Sequence, residues 1–192
     1  MLLVLPIISE SSGPKGALDA PRRLKRNDLA VTDLHPVHLG PHDGPSVFLV
    51  GDTYTTLLSG EQTGGAFTLL EAVVMPNAGP PPHAHHGEEE TFVLLDGHMT
   101  FTVAGRTYDA TAGTVLLVPR DIAHSYQNIG DGPARMLFLY SPPGMEGMFP
   151  ELGAPGRRGA IPPPLNPADI TAMAAVADKY GFSVLTGDVT AQ

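Results

Sequence analysis

Pro80-Pro81-Pro82-His83-Ala84-His85-His86-Gly87-Glu88-Glu89-Glu90-Thr91-Phe92-Val93-Leu94-Leu95-Asp96-Gly97 is the stretch on which the reading of this chain turns. On an extended strand alternate side chains share a face, so His83 and His85 can point inward together and bind one ion. After a turn at His86–Glu88 the chain resumes with Glu90, Phe92 and Leu94 on one face. That brings Glu90 back beside the two histidines. Downstream, Gly113-Thr114-Val115-Leu116-Leu117-Val118-Pro119-Arg120-Asp121-Ile122-Ala123-His124-Ser125-Tyr126-Gln127-Asn128 forms a second strand pair in which His124, Tyr126 and Asn128 share a face. His124 is then a natural fourth ligand.

Outward from these two segments, short β-prone runs recur at 47–50, 53–58, 66–75, 90–95, 98–103, 106–109, 114–118, 124–128 and 134–140, separated by pairs such as Gly51-Asp52, Asp96-Gly97 and Ala104-Gly105. Strands this short, joined by tight turns, predict a sandwich or barrel rather than a βαβ sheet. The chain has 192 residues, with 22 glycines and 20 prolines, more than a fifth of the total, while 42% are hydrophobic. Such a composition suits one turn-rich β domain with a real core. After residue 142 the character changes. Residues 145–152 can form one or two helical turns. Asn166-Pro167 ahead of an Ala-rich run, with Gly181 behind it, predicts a capped helix over 168–180.

The net charge is −9, and five of the eleven basic residues (Lys15, Arg22, Arg23, Lys25 and Arg26) cluster near the N-terminus. Between residues 31 and 156 the only cations are Arg106, Arg120 and Arg135, so the body repels phosphate backbones and no nucleic-acid role is expected. With no cysteine there is no disulfide, thiolate ligand or cysteine nucleophile, which suits a cytoplasmic location. The apolar start, Met1–Ile8, is far short of the ~20 residues of a membrane span and lacks the features of a signal peptide. It reads as an edge strand packed on the body or on a second subunit, and a homodimer is expected.

The two ligand-bearing segments resemble the paired motifs of the cupin superfamily: H-x-H-x4-E-x6-G through His83, His85, Glu90 and Gly97, and G-x5-P-x4-H-x3-N through Gly113, Pro119, His124 and Asn128. Two positions depart from the pattern. The leading glycine of the first motif, Gly79, has only three residues between it and His83, and Asp121 stands where the second motif usually has glycine. The resemblance implies an all-β, jelly-roll-like barrel over 46–141, with an N-terminal arm at 1–45 and a C-terminal helical extension at 142–192. Flanking features, among them Gly51–Phe67 and Ser141–Gly144 with Phe149, are similar to the bacterial single-cupin quercetin (flavonol) dioxygenase group.

Three imidazoles and a carboxylate suit one divalent first-row ion: iron, manganese, cobalt, nickel or zinc. The expected ligands are His83, His85, Glu90 and His124, with Phe67, Phe92, Met99, Tyr126, Met145 and Phe149 around a small-molecule substrate and 145–149 acting as a lid. The resemblance implies a dioxygenase acting on a hydroxylated aromatic with dioxygen, in which Glu90 is both ligand and proton acceptor. The alternatives are a non-redox isomerase or lyase using the ion as a Lewis acid, and a cupin that binds without turnover. Glu88 and Glu89 read as solvated turn residues, and His86 and His98 as exposed or outlying. His35, His38 and His42 read as surface residues of the arm, and Met99, Phe101, Met136 and Phe138 as barrel core.

Overall fold

Alternation decides which residues go inside. In the computed structural model, which describes residues 34–185, Glu90, Phe92 and Leu94 are all buried on one face of a strand whose other face is only partly covered. The strands are β1 (Ser46–Leu49), β2 (Asp52–Leu58), β3 (Thr68–Val74), β4 (His83–His85), β5 (Glu89–Asp96), β6 (His98–Val103), β7 (Arg106–Thr111), β8 (Val115–Val118), β9 (His124–Asn128), β10 (Ala134–Ser141), β11 (Ala154–Pro155) and β12 (Phe182–Val184). They form two antiparallel sheets. One has the order β11-β1-β2-β3-β10-β5-β8 and the other β12-β4-β9-β6-β7.

The inner faces meet through large side chains. Phe92 of the first sheet packs on Phe101 and Tyr126 of the second, with ring centroids 5.1 Å and 5.8 Å away, and Phe138 closes the group from β10. Phe92, Phe101, Met99, Met136 and Leu70 are almost fully buried, each contributing roughly 1.5–3 kcal/mol relative to exposure. Met99, Phe101, Met136 and Phe138 are therefore core residues, as the alternation requires. A polar tie joins the sheets at one end of β9. Buried Asn128 donates to the carbonyls of Val74 and Gly132, both at 2.9 Å, and accepts from Gly130 N–H at 2.9 Å.

The segment after residue 141 begins with a 3₁₀ turn (Met145–Gly147), then α1 (Met148–Leu152) and α2 (Pro167–Tyr180). Asn166 caps α2 by accepting from Ala168 N–H, Pro167 opens it, and Gly181 ends it at φ 66. Two short strands in this segment have no signature in the sequence. β12 pairs with β4, placing Phe182 opposite His85, and β11 extends the first sheet beside β1. The C-terminal extension thus adds strands to both sheets. Both strands are held by partners distant in sequence, β1 and β4, and nothing within Ala154–Pro155 or Phe182–Val184 requires a strand.

His35, His38 and His42 are exposed, as a surface arm requires. The edge strand expected at Met1–Ile8 lies outside the described residues. Among the described residues no helix is long and apolar enough to cross a membrane.

Asn128→Ala removes the side-chain hydrogen bonds to the Val74 and Gly132 carbonyls and from Gly130 N–H in the closed end of the core. It should cost about 2–4 kcal/mol in urea unfolding, while metal bound per folded chain is unchanged because the histidines lie at the opposite end of β9.

Candidate metal centre

β4 and β9 lie side by side with His83 directly opposite His124 in the ladder, and Glu90 faces them from β5 in the other sheet. One ligand atom from each of His83, His85, Glu90 and His124 fits within a sphere in which all four lie within 4.8 Å of one another. His85, Glu90 and His124 are each 3% exposed, whereas His83 is partly open.

Hydrogen bonds fix the imidazoles. His83 Nδ1 lies 3.0 Å from the Pro81 carbonyl and His124 Nδ1 lies 2.9 Å from the Ile122 carbonyl. A carbonyl can only accept, so each Nδ1 carries the hydrogen and each Nε2 keeps its lone pair. Yet His124 Nε2 sits 2.9 Å from Glu90 Oε2, and His85 Nε2 is 3.3 Å from the same oxygen without a hydrogen-bond angle. A lone pair facing a carboxylate at that range is repelled unless a proton or a metal cation lies between them. A divalent ion meets that requirement for all four residues at once, and the donor set is compatible with one.

The charges of the metal-free cluster point the same way. Burial opposes protonation of His85, but the flanking carboxylates of Glu88 and Glu90 outweigh it and raise its pKa to about 9. Burial, with His124 and His85 as like charges beside it, lowers His83 to about 3. Burial would raise Glu90, but the close approach of His124 and His85 overcomes it and holds the carboxyl well below its usual range. Without a metal, the cluster thus favours a protonated His85 and a neutral His83.

Glu88 is not a solvated turn residue. It is 6% exposed, and its Oε1 lies 3.0 Å from His85 Nδ1, because the turn at His86-Gly87 folds it back behind the ligand. His85 is held between two carboxylates, an arrangement that orients a ligand and raises its basicity. Glu89 is half exposed and makes a forked ion pair with Arg120 at 3.0 Å and 3.1 Å. His86 is exposed and bridges Asp121 and Ser183, each at 2.7 Å. Asp121 itself is left-handed, φ 63, at the turn into His124. His98 is half-exposed and pairs with Asp109. Gly79 is obligatory for a different reason: at φ 153, a Cβ there would collide with the Tyr126 carbonyl oxygen.

A cavity of about 40 Å³ opens beside the cluster. Of the expected lining residues, Phe92, Tyr126, Met145 and Phe149 are on its wall, and Phe67 and Met99 are not. Met99 pairs with Asn128, while Val103 is the residue opposite His124, because β6 runs antiparallel to β9. Four residues of strand, ~13 Å, separate Met99 from the site. Phe67 precedes Thr68, whose side chain takes the inner face, so alternation turns Phe67 outward. Tyr54, Tyr140 and Phe182 also line the cavity, and sequence reasoning missed them. For the first two a signal exists, since Asp52/Tyr54 and Phe138/Tyr140 alternate in phase with the inner face.

The family model described as the cupin domain matches residues 70–140, which contain all four candidate ligands. Residues 70–140 are a cupin domain. The chain is 30% identical over 93 residues to the polyketide synthase CurC of Streptomyces cyaneus, covering 48% of this chain and 60% of that protein. It is 34% identical over 71 residues to germin-like protein 1-1 of Oryza sativa subsp. japonica, 34% of this chain and 33% of that one. This chain thus spans less than two thirds of either relative. In structure it resembles the polyketide cyclase RemF from Streptomyces resistomycificus, with a TM-score of 0.50 and 20% identity over 76% of this chain and 96% of that chain. That likeness is one of fold.

Two measurements test the cupin site. His83→Ala, His85→Ala and His124→Ala should each bind at least ~10–100-fold less metal, by elemental analysis of folded protein, since even outlying partners of ligands are worth that much. In the metal-free protein, stability drawn from the raised His85 is lost as pH climbs from about 6.5 to about 9. Stability drawn from the lowered His83 is lost as pH falls from about 6.5 toward 3. Thermal unfolding of the metal-free chain should therefore peak between those limits, and the metal-loaded chain should show a flatter alkaline limb.

Proposed function

We propose that this cupin domain is a metal-dependent dioxygenase of a planar, hydroxylated aromatic small molecule. The observation that carries the reading is a His₃Glu cluster opening on a cavity of aromatic and methionine walls in which, among the described residues, there is no lysine or arginine. With no cation on the walls, an ionised substrate oxygen has one place to go. A bound divalent ion supplies Lewis acidity toward that oxygen and, if redox-active, a path for electrons to dioxygen.

The protein's own residues do the rest. Glu90 accepts the proton of the substrate hydroxyl at a carboxylate oxygen, and its burial keeps water from competing for that proton. Phe92 and Tyr126 offer faces against which a flat ring can stack, and Met145 and Phe149 exclude water from the outer side. Glu88 keeps His85 in register while the substrate binds. The match to a polyketide synthase component favours a second, non-redox reading, in which the same site polarises a carbonyl of a poly-oxygenated chain and Glu90 removes the adjacent proton. The working unit is proposed to be a homodimer: among the described residues β8 is a free sheet edge with Val115 and Leu117 exposed, a combination that needs covering.

Glu90→Gln separates metal from chemistry. An amide oxygen still coordinates but takes no proton, so the variant should keep part of its metal and lose at least ~10²-fold in turnover. Dioxygen uptake with a flavonol, measured after reconstitution with iron, manganese, cobalt or nickel, supports the oxygenase reading. Anaerobic conversion of a polyketone with no uptake replaces it with the second. Light scattering of the full chain at micromolar concentration should give twice the monomer mass.

A further inference from the structure

Asp52, at the start of β2, is 1% exposed, and the metal chemistry does not use it. Its Oδ1 accepts from Met75 N–H at 3.2 Å and its Oδ2 from the Tyr54 hydroxyl at 3.4 Å. The Tyr54 hydroxyl lies 3.3 Å from that of Tyr126, and both rings line the metal cavity. A carboxyl, a phenol and a second phenol therefore run in a line from the apolar end of the barrel to the cavity wall. A buried carboxyl without a cation is costly, and such groups are retained where their ionisation is used.

The ionisable groups facing Asp52 are Tyr54 on its own strand and Tyr126 from β9. From the residue after β3 comes the Met75 N–H, and α2 contributes Asp169, bonded to Val50 N–H two residues upstream. Among the described residues none of these is a cation. Burial, only partly offset by the bonds from Met75 and Tyr54, raises Asp52 to about 7.

A hydroxyl has one hydrogen to give, so the state of the carboxyl propagates. When Asp52 is ionised, Tyr54 donates to it, Tyr126 donates to Tyr54, and the Tyr126 oxygen turns a lone pair to the cavity. When Asp52 is protonated it donates to Tyr54, Tyr54 to Tyr126, and the Tyr126 hydrogen points into the cavity. We propose that Asp52, acting through Tyr54, is a positioning residue that sets the hydrogen-bond polarity of Tyr126: acceptor for a ligand hydroxyl when Asp52 is ionised, donor to a ligand oxygen when it is protonated. The proposal rests on the reading that a hydroxylated ring occupies the cavity.

The test uses the zinc-loaded full chain, which has no redox chemistry, and 3-hydroxyflavone as the probe. Its Kd is measured by absorbance from pH 5.5 to 8.5 for wild type, Asp52→Asn and Tyr54→Phe, with zinc content checked in each. The ligand's own ionisation is common to all three. The ratio of variant to wild-type Kd should change about fivefold across neutrality, the worth of one hydrogen bond, and both variants should lose the same inflection. A ratio independent of pH, or a Tyr54→Phe variant that keeps the wild-type inflection, overturns the proposal. If wild type binds no 3-hydroxyflavone at any pH, the substrate reading fails. The hydroxyl chain is then judged by the near-ultraviolet tyrosine difference spectrum between pH 5.5 and 8.5. Its loss in both variants supports the chain, and its persistence in Asp52→Asn overturns it.

Discussion

The constraint on which this structure depends is one carboxylate oxygen, Glu90 Oε2, that two imidazole nitrogens approach from the opposite sheet. Neither nitrogen can satisfy it as a neutral acceptor. The cluster is compatible with a divalent ion where β4, β5 and β9 converge, and such an ion would join the two sheets at one end of the barrel. Asn128 joins them at the other. The strand between these two fixtures, β9, carries His124, Tyr126 and Asn128 inward in succession. Its two ends are pinned by different chemistries, so its middle residue, Tyr126, is held in a defined place on the cavity wall.

The C-terminal segment bears on the same constraint. β12 would be a small addition to a sheet anywhere else, but it pairs with β4 and sets Phe182 beside His85, 6.1 Å between ring centroids. β4 is three residues long and makes a single ladder contact with β9, so without β12 it would be weakly held. α2 positions β12, with Glu151 of α1 bonded to Lys179 and Tyr180 at its end. Residues well outside the cupin match thus hold the ligand strand in place.

The ligand set is legible in the sequence because it depends only on parity along strands: His83 and His85 are two apart, and Glu90 and His124 each begin an alternating buried run. Parity is local, and the turn residues announce where it restarts. Position along a neighbouring strand is not local, which is why Met99 lies far from the site although it faces inward. Phe67 is a failure of parity itself, one residue before the inward Thr68. Glu88 escapes both rules. It lies in a turn, where side-chain direction is set by the path of His86-Gly87 and not by alternation. β11 and β12 are held by partners distant in sequence, and nothing within their own two or three residues requires a strand.

The size of the cavity bears on what decides affinity here. A volume of about 40 Å³ holds an ion and a few waters, since one water needs ~10–15 Å³ by the same measure, and it does not hold a flat ring. A ring can enter only by displacing Met145, Met148 and Phe149, all now buried. Each contributes roughly 1.5–3 kcal/mol by its burial, and an incoming bicyclic aromatic buries a comparable apolar area. The hydrophobic exchange is therefore close to even and selects shape more than strength. For the proposed aromatic ligand, net affinity would have to come from what the displaced side chains cannot offer, namely oxygen atoms presented to a bound ion and to Tyr126. Two methionines suit the displaced position, since their unbranched thioether chains can repack around different rings. On the proposed reading the walls would tolerate a range of flat molecules, and the polar atoms at the His₃Glu end would decide among them.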